Sequence, residues 1–60
     1  MQKETVIKHF GSAARVARAL GVSRQAVHKW PDLIPELSAL RLDRITEGKL
    51  RYDEDEYRDN

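Results

Sequence analysis

The sequence predicts an all-α fold, a compact helix-turn-helix domain of about five short helices, and three observations carry that expectation. Residues 12–30, SAARVARALGVSRQAVHKW, hold two short helical patterns, each opened by a serine, that meet at Leu20, Gly21 and Val22. Apolar positions elsewhere recur at the three- and four-residue spacing of amphipathic helices. There is no second β-rich run, and no Asn-Gly or Asp-Gly pair through which a hairpin could turn.

Residues 3–10, KETVIKHF, place Val6, Ile7 and Phe10 on one stripe, with Lys3, Glu4 and Lys8 outside it. Gly11 can adopt the left-handed conformation that ends a helix, and Ser12 can cap the next one. That second helix runs from residue 13 to residue 19 or 20. Its alanines favour helix, and Ala17 lets another backbone approach closely. Gly21 supplies a positive φ at the turn. Val22 is expected to pack on Val27 as a hydrophobic staple around the Ser23 cap, fixing how the third helix, residues 24–29, departs. Pro31 disfavours helical geometry at Trp30 and stops it there. After the loop PDLIP comes a fourth helix, with Pro35 in its first turn. It turns Leu37, Leu40 and either Leu42 or Ile45 inward and stops at Gly48. In the tail Leu50 and Tyr52 alternate as a strand would. Asp53 can instead cap a final helical turn whose acids lie at its positive end, and a short fifth helix is the expectation.

Sixty residues suffice for one domain, 1–60, which buries only about 60% of the surface its unfolded chain exposes. The chain has no cysteine, which fits a reducing cytoplasm. No apolar run approaches the roughly 20 residues of a membrane span. The net charge of +1 hides a division. Residues 1–31 hold six Lys or Arg against one acid, a net +5, and residues 32–60 hold five against nine, a net −4. Such asymmetry points to one face for an anionic partner and another turned away from it. The basic half coincides with the helix-turn-helix.

In a helix-turn-helix the second helix lies in the major groove of DNA and the first crosses the backbone. With Val27 and Trp30 turned to the core, Arg24, Gln25 and His28 face outward as base readers. Lys29 sits at the rim, and Ser23, although a cap, is close enough to touch a phosphate or base. Arginine can grip guanine O6 and N7 as a pair, and glutamine adenine N6 and N7. His28 can donate or accept according to its tautomer. Positioning on the backbone falls to Ser12, beside the free N–H groups of its helix start, and to Arg15 and Arg18 on the outer face. His9 reads as a surface residue. Two histidines without a cysteine make no recognisable metal set. No nucleophile–base pair, phosphate loop or paired-carboxylate pocket suggests an enzyme, and no cofactor or small-molecule ligand is expected.

V-I-K-H-F-G at residues 6–11, A-x-A-L-G-V-S-x-x-A-V-x-x-W at 17–30 and I-P-E at 34–36 together resemble the Cro-type repressors of lambdoid phages. The likeness spans about residues 5–50. It implies a lambda-repressor-like DNA-binding fold and repression by occupying an operator on double-stranded DNA. It matches Arg24, Gln25, His28 and Lys29 to groove-facing positions, and Ser12, Arg15 and Arg18 to backbone-facing ones. It also implies a dimer on a near-palindromic site. Cro-like proteins have either a C-terminal β-hairpin or a wholly helical form, and LSALRLDRITEGKL at residues 37–50 resembles the helical form. The homodimer is expected to be weak and assembled in part on DNA, through residues 37–45 with Tyr52 and Tyr57. The alternative reading is an antitoxin-like or co-regulator module whose acidic tail binds a protein; its affinity would not depend on Arg24 or Gln25.

Overall fold

A computed structural model describes residues 1–58; the last two residues of the expected domain lie outside the described residues. The chain forms α1 (Lys3–Phe10), α2 (Ala13–Leu20), α3 (Arg24–His28) and α4 (Glu36–Ile45), followed by a 3₁₀ turn over Glu54–Tyr57. The all-helical expectation holds, with the 3₁₀ turn in the place of the fifth helix. Among the described residues no helix is long and apolar enough to cross a membrane.

Helix α2 is the hub, with α1, α3 and α4 each packed against it. It buries Val16, Ala17 and Leu20 on one stripe, and these meet Val6 of α1, Val27 of α3, Ala39 and Leu42 of α4, Ile34 of the loop and Leu50 of the tail in one core. Removing a valine- or leucine-sized side chain from water is worth about 1.5–3 kcal/mol, so a few residues carry the fold. Both serine caps form: the Ser12 hydroxyl accepts from the Arg15 N–H at 3.2 Å and that of Ser23 from the Ala26 N–H at 3.1 Å. At the end of α2, Gly21 takes φ +70°. The Val22 N–H then reaches the Ala17 carbonyl at 3.0 Å, and the Gly21 N–H reaches that of Arg18 at 3.3 Å. This pair satisfies carbonyls that the helix leaves over. Val22 itself remains 39% exposed and does not join the core cluster that holds Val27, contrary to the expected staple.

Of the positions expected to face inward on α4, only Leu42 does. Ala39 and Leu42 are fully buried, whereas Leu37, Leu40 and Ile45 are 69%, 45% and 44% exposed. The helix offers two apolar stripes, and the one with the small residue faces α2, where Ala39 permits a close approach. Pro35 stands one position earlier than expected, at the N-cap. The helix ends through a second 6→1 and 5→2 pair, Gly48 N–H to the Asp43 carbonyl at 2.9 Å and Glu47 N–H to that of Arg44 at 3.2 Å. Here the left-handed position before Gly48 is filled by Glu47, at φ +54°.

The strand-like alternation of Leu50 and Tyr52 is real, but a helix edge answers it. The Leu50 N–H donates to the Thr46 hydroxyl at 3.0 Å and the Tyr52 N–H to Asp43 Oδ2 at 2.7 Å. Asp53 then caps the final turn as expected, accepting from the Asp55 N–H at 2.9 Å. Tyr52 and Tyr57 stack with ring centroids 5.6 Å apart. Tyr57 donates to the Ile34 carbonyl at 2.8 Å and Tyr52 to the Glu36 carboxylate. These contacts close the chain on itself and give both tyrosines a role in the fold. At the other end, Gln2 pairs with Leu33 in an isolated antiparallel bridge, and the buried Met1 pairs its amino group with Glu56.

Two expected outcomes follow from these backbone and tail contacts. Nothing lies within 4 Å of a Cβ built on Gly21, so Gly21→Ala should lower stability by about 1–2 kcal/mol through backbone strain alone. Glu47→Gly should raise it by up to about 1 kcal/mol; urea unfolding of both variants gives the signs. The hydrogen bond to Glu36 pushes the Tyr52 phenol up to about 12, and burial raises that of Tyr57. The folded chain therefore holds protons that the unfolded chain releases above about pH 10. That stabilisation is complete below pH about 10 and is lost as pH rises toward 12. Urea unfolding followed by circular dichroism across this window should show stability falling with pH, with a shallower slope in Tyr52→Phe.

Candidate DNA-binding surface

Val27, fully buried, fixes the rotation of α3 about its axis. At about 100° per residue, Gln25 and the position of Lys29 lie roughly 160° from Val27, directly opposite the core, while Arg24 and His28 share one flank. All four are exposed, as is Ser23 at the cap. The structure thus brings together the residues expected to read bases, with Gln25 the most outward of those within the helix.

On α2, Arg15 and Arg18 are exposed and lie three residues apart on the side away from the core, and Ser12 is half-buried at the cap. The Arg15 guanidinium folds back over the helix start: a methyl placed on Gly11 would stand 3.2 Å from its Nη1. A cation beside the positive end of a helix is unfavourable unless an anion joins them. Helices α1 and α4 each carry an acid in the first turn, Glu4 and Glu36, whereas α2 and α3 carry none. The two helices of the turn therefore present uncompensated positive ends, together with Arg15 and Arg24. Such an arrangement suits phosphate oxygens.

The polar side chains on and near this surface differ in whether the protein holds them. Lys3, Arg41 and Arg58 are held by the protein: Lys3 Nζ donates to the His28 carbonyl at 2.9 Å, Arg41 Nη2 to the Leu20 carbonyl at 2.7 Å, and Arg58 to Glu54 at 3.1 Å. Among the described residues, the side chains of Arg15, Arg18, Arg24, Gln25, His28 and Lys29 make no hydrogen bond or ion pair within the chain. Sequence reasoning missed Lys3, placed outside the first stripe, and Arg41, which it did not single out. Their partners lie 25 and 21 residues away, beyond any local pattern; only the rule that cations suit helix C-termini hints at such a role. His9 is exposed and stacks edge-on against Phe10 at 5.0 Å. Among the described residues no cluster of three or more His, Asp or Glu could hold a metal.

A second surface lies on α4. Leu37, Leu40 and Ile45, with Arg41 and Arg44, line an open groove of about 430 Å³.

Comparison with known proteins agrees with the geometry. A family model described as DNA-binding transcriptional regulator Cro, of the phage P22 type, matches residues 2–60. The chain is 50% identical to the regulatory protein cro of Salmonella phage P22 over 58 residues, covering 97% of this chain and 95% of that one. It is 39% identical over 62 residues to the repressor protein of division inhibition gene dicB of Escherichia coli (strain K12), covering 97% and 82%. The solution structure of P22 Cro superposes with a TM-score of 0.91 at 48% identity, over 100% of this chain and 98% of that one.

The sequence expects base reading from α3 and phosphate holding from α2, and two substitutions test that separation. Gln25→Ala should cost about 1–3 kcal/mol on a preferred duplex and relax the preference at one base pair. Arg18→Ala should weaken binding to all sequences alike and lower the slope of log affinity against log salt by about 0.9. Fluorescence anisotropy titrations at several salt concentrations measure both.

Proposed function

Because the chain belongs to the P22-type Cro family of DNA-binding transcriptional regulators, we propose that it is a sequence-specific repressor that occupies operator DNA and so blocks transcription. The observation that carries this reading is the outer face of α3: polar, exposed, with side chains that have no partner among the described residues, and held opposite the buried Val27. Arg24, Gln25 and His28 read base edges in the major groove, with Ser23 and Lys29 at its margin. Ser12, Arg15 and Arg18 hold the flanking phosphates. Residues 1–60 act as one DNA-binding domain, in the cytoplasm of a bacterial cell, by binding alone, without catalysis, cofactor or small-molecule ligand.

We further propose that two copies bind a near-palindromic site, meeting through the α4 face. Three exposed apolar side chains, Leu37, Leu40 and Ile45, on one helix are what a soluble domain this small would cover. The patch is small for a stable dimer, so the contact is weak alone and DNA supplies part of the assembly energy.

Selection of bound duplexes from a random pool tests the whole reading. The expected product is one sequence in two inverted copies whose centres lie about 34 Å apart; recovery of no preferred sequence would overturn it. Leu37→Glu should then abolish cooperative binding to the two-copy site while leaving affinity for a single half-site unchanged, as read by gel shift.

A further inference from the structure

We propose that Lys3 is a positioning residue for base recognition: its ammonium group ties down the far end of α3 and so sets the pitch at which that helix enters the groove. The inference rests on the DNA-reading role of α3 proposed above.

Helix α3 has five residues, and its last intrahelical and turn donors are the Lys29 and Trp30 N–H groups, bonded to the carbonyls of Gln25 at 3.0 Å and Val27 at 3.1 Å. The next carbonyls have no N–H donor left in the helix. Lys3 Nζ bonds to two of them, those of His28 at 2.9 Å and Trp30 at 3.4 Å. Its own backbone is anchored, because the Lys3 N–H donates to the Asp32 carbonyl at 2.8 Å next to the Gln2–Leu33 bridge. The helix is thus held at its start by Ser23, at its middle by Val27 and at its end by a cation from α1, which also offsets the negative end of its dipole. With Lys3 gone, the end of α3 carrying His28 and Lys29 loses its tether, while the start carrying Arg24 and Gln25 keeps its own.

The test uses the full chain with three probes: the duplex recovered by selection, its single-base-pair variants, and a random-sequence duplex. Lys3→Met should reduce the ratio of preferred to random binding by about tenfold, the size of one charged hydrogen bond. The loss should concentrate at the base pairs whose preference His28→Ala also abolishes, and the salt slope should be unchanged. Lys3→Arg, which keeps a cationic donor, should restore the ratio. A uniform loss on all duplexes with the slope lowered by about 0.9 would make Lys3 a phosphate contact instead, and an unchanged ratio would leave it no part in recognition; either overturns the proposal. If Lys3→Met loses its helical circular dichroism, Lys3→Gln is measured against the same criteria. Failure of the unsubstituted chain to select any sequence would overturn the DNA-reading role itself, whereas an unchanged ratio in the variant would overturn only the role of Lys3.

Discussion

Helix α3 is less than half the length at which an isolated helix holds together in water, so its direction has to be supplied by its surroundings. Most of the chain can be understood as that supply. Helix α2 provides the floor, because Val16, Ala17 and Leu20 form a stripe on which Val27 closes. The turn at Gly21 sets the angle between the two, and the Ser23 hydroxyl holds the first turn of α3. Helix α1 contributes Val6 to the same core and Lys3 to the end of α3. Each of these ties is worth a few kcal/mol at most, and a domain of this size has few of them.

The division of charge along the chain has a structural use besides its long-range field. Acids of the second half accept hydrogen bonds that fold the tail: Asp43 from the Tyr52 N–H, Glu36 from the Tyr52 phenol and Asp53 from the Asp55 N–H, while Glu56 pairs with the amino group of Met1. The charge asymmetry of the sequence places these acids on a face turned away from an anionic partner. The structure shows several of them occupied internally, close to the residues that pin Ile34 and the start of α4. Arg15, Arg18 and Arg24, by contrast, lie on α2 and α3, where no first-turn acid competes with an incoming phosphate.

What could be read from the sequence was what local chemistry decides. Ser12 and Ser23 cap, and Gly11 and Gly21 turn, because those conformations depend on residues within a few positions. The outward face of α3 was legible for the same reason: one buried valine in a five-residue helix leaves little choice. The α4 stripe was not. Leu37, Leu40 and Ile45 have helical spacing as good as that of Ala39 and Leu42, and only the proximity of α2 favours the small alanine. The tail was ambiguous because alternation at Leu50 and Tyr52 reports alternate N–H groups seeking acceptors on one side. It does not say whether a strand or the Thr46 and Asp43 side chains supply them.

The α4 groove also shares a residue with the turn between α2 and α3. Arg41 lines the α4 groove and, with the same guanidinium, holds the Leu20 carbonyl at the end of α2, next to the Gly21 turn that aims α3. A charged hydrogen bond strengthens as water is excluded from around it. Any apolar surface laid across Leu37, Leu40 and Ile45 therefore lowers the local dielectric around a bond that fixes the base of the helix-turn-helix. The hub helix is thus gripped from both sides, by Arg41 at its end and through the core it shares with α1 and α3. Arg41 thus joins the outer face of α4 to the end of the hub helix through one side chain and one carbonyl.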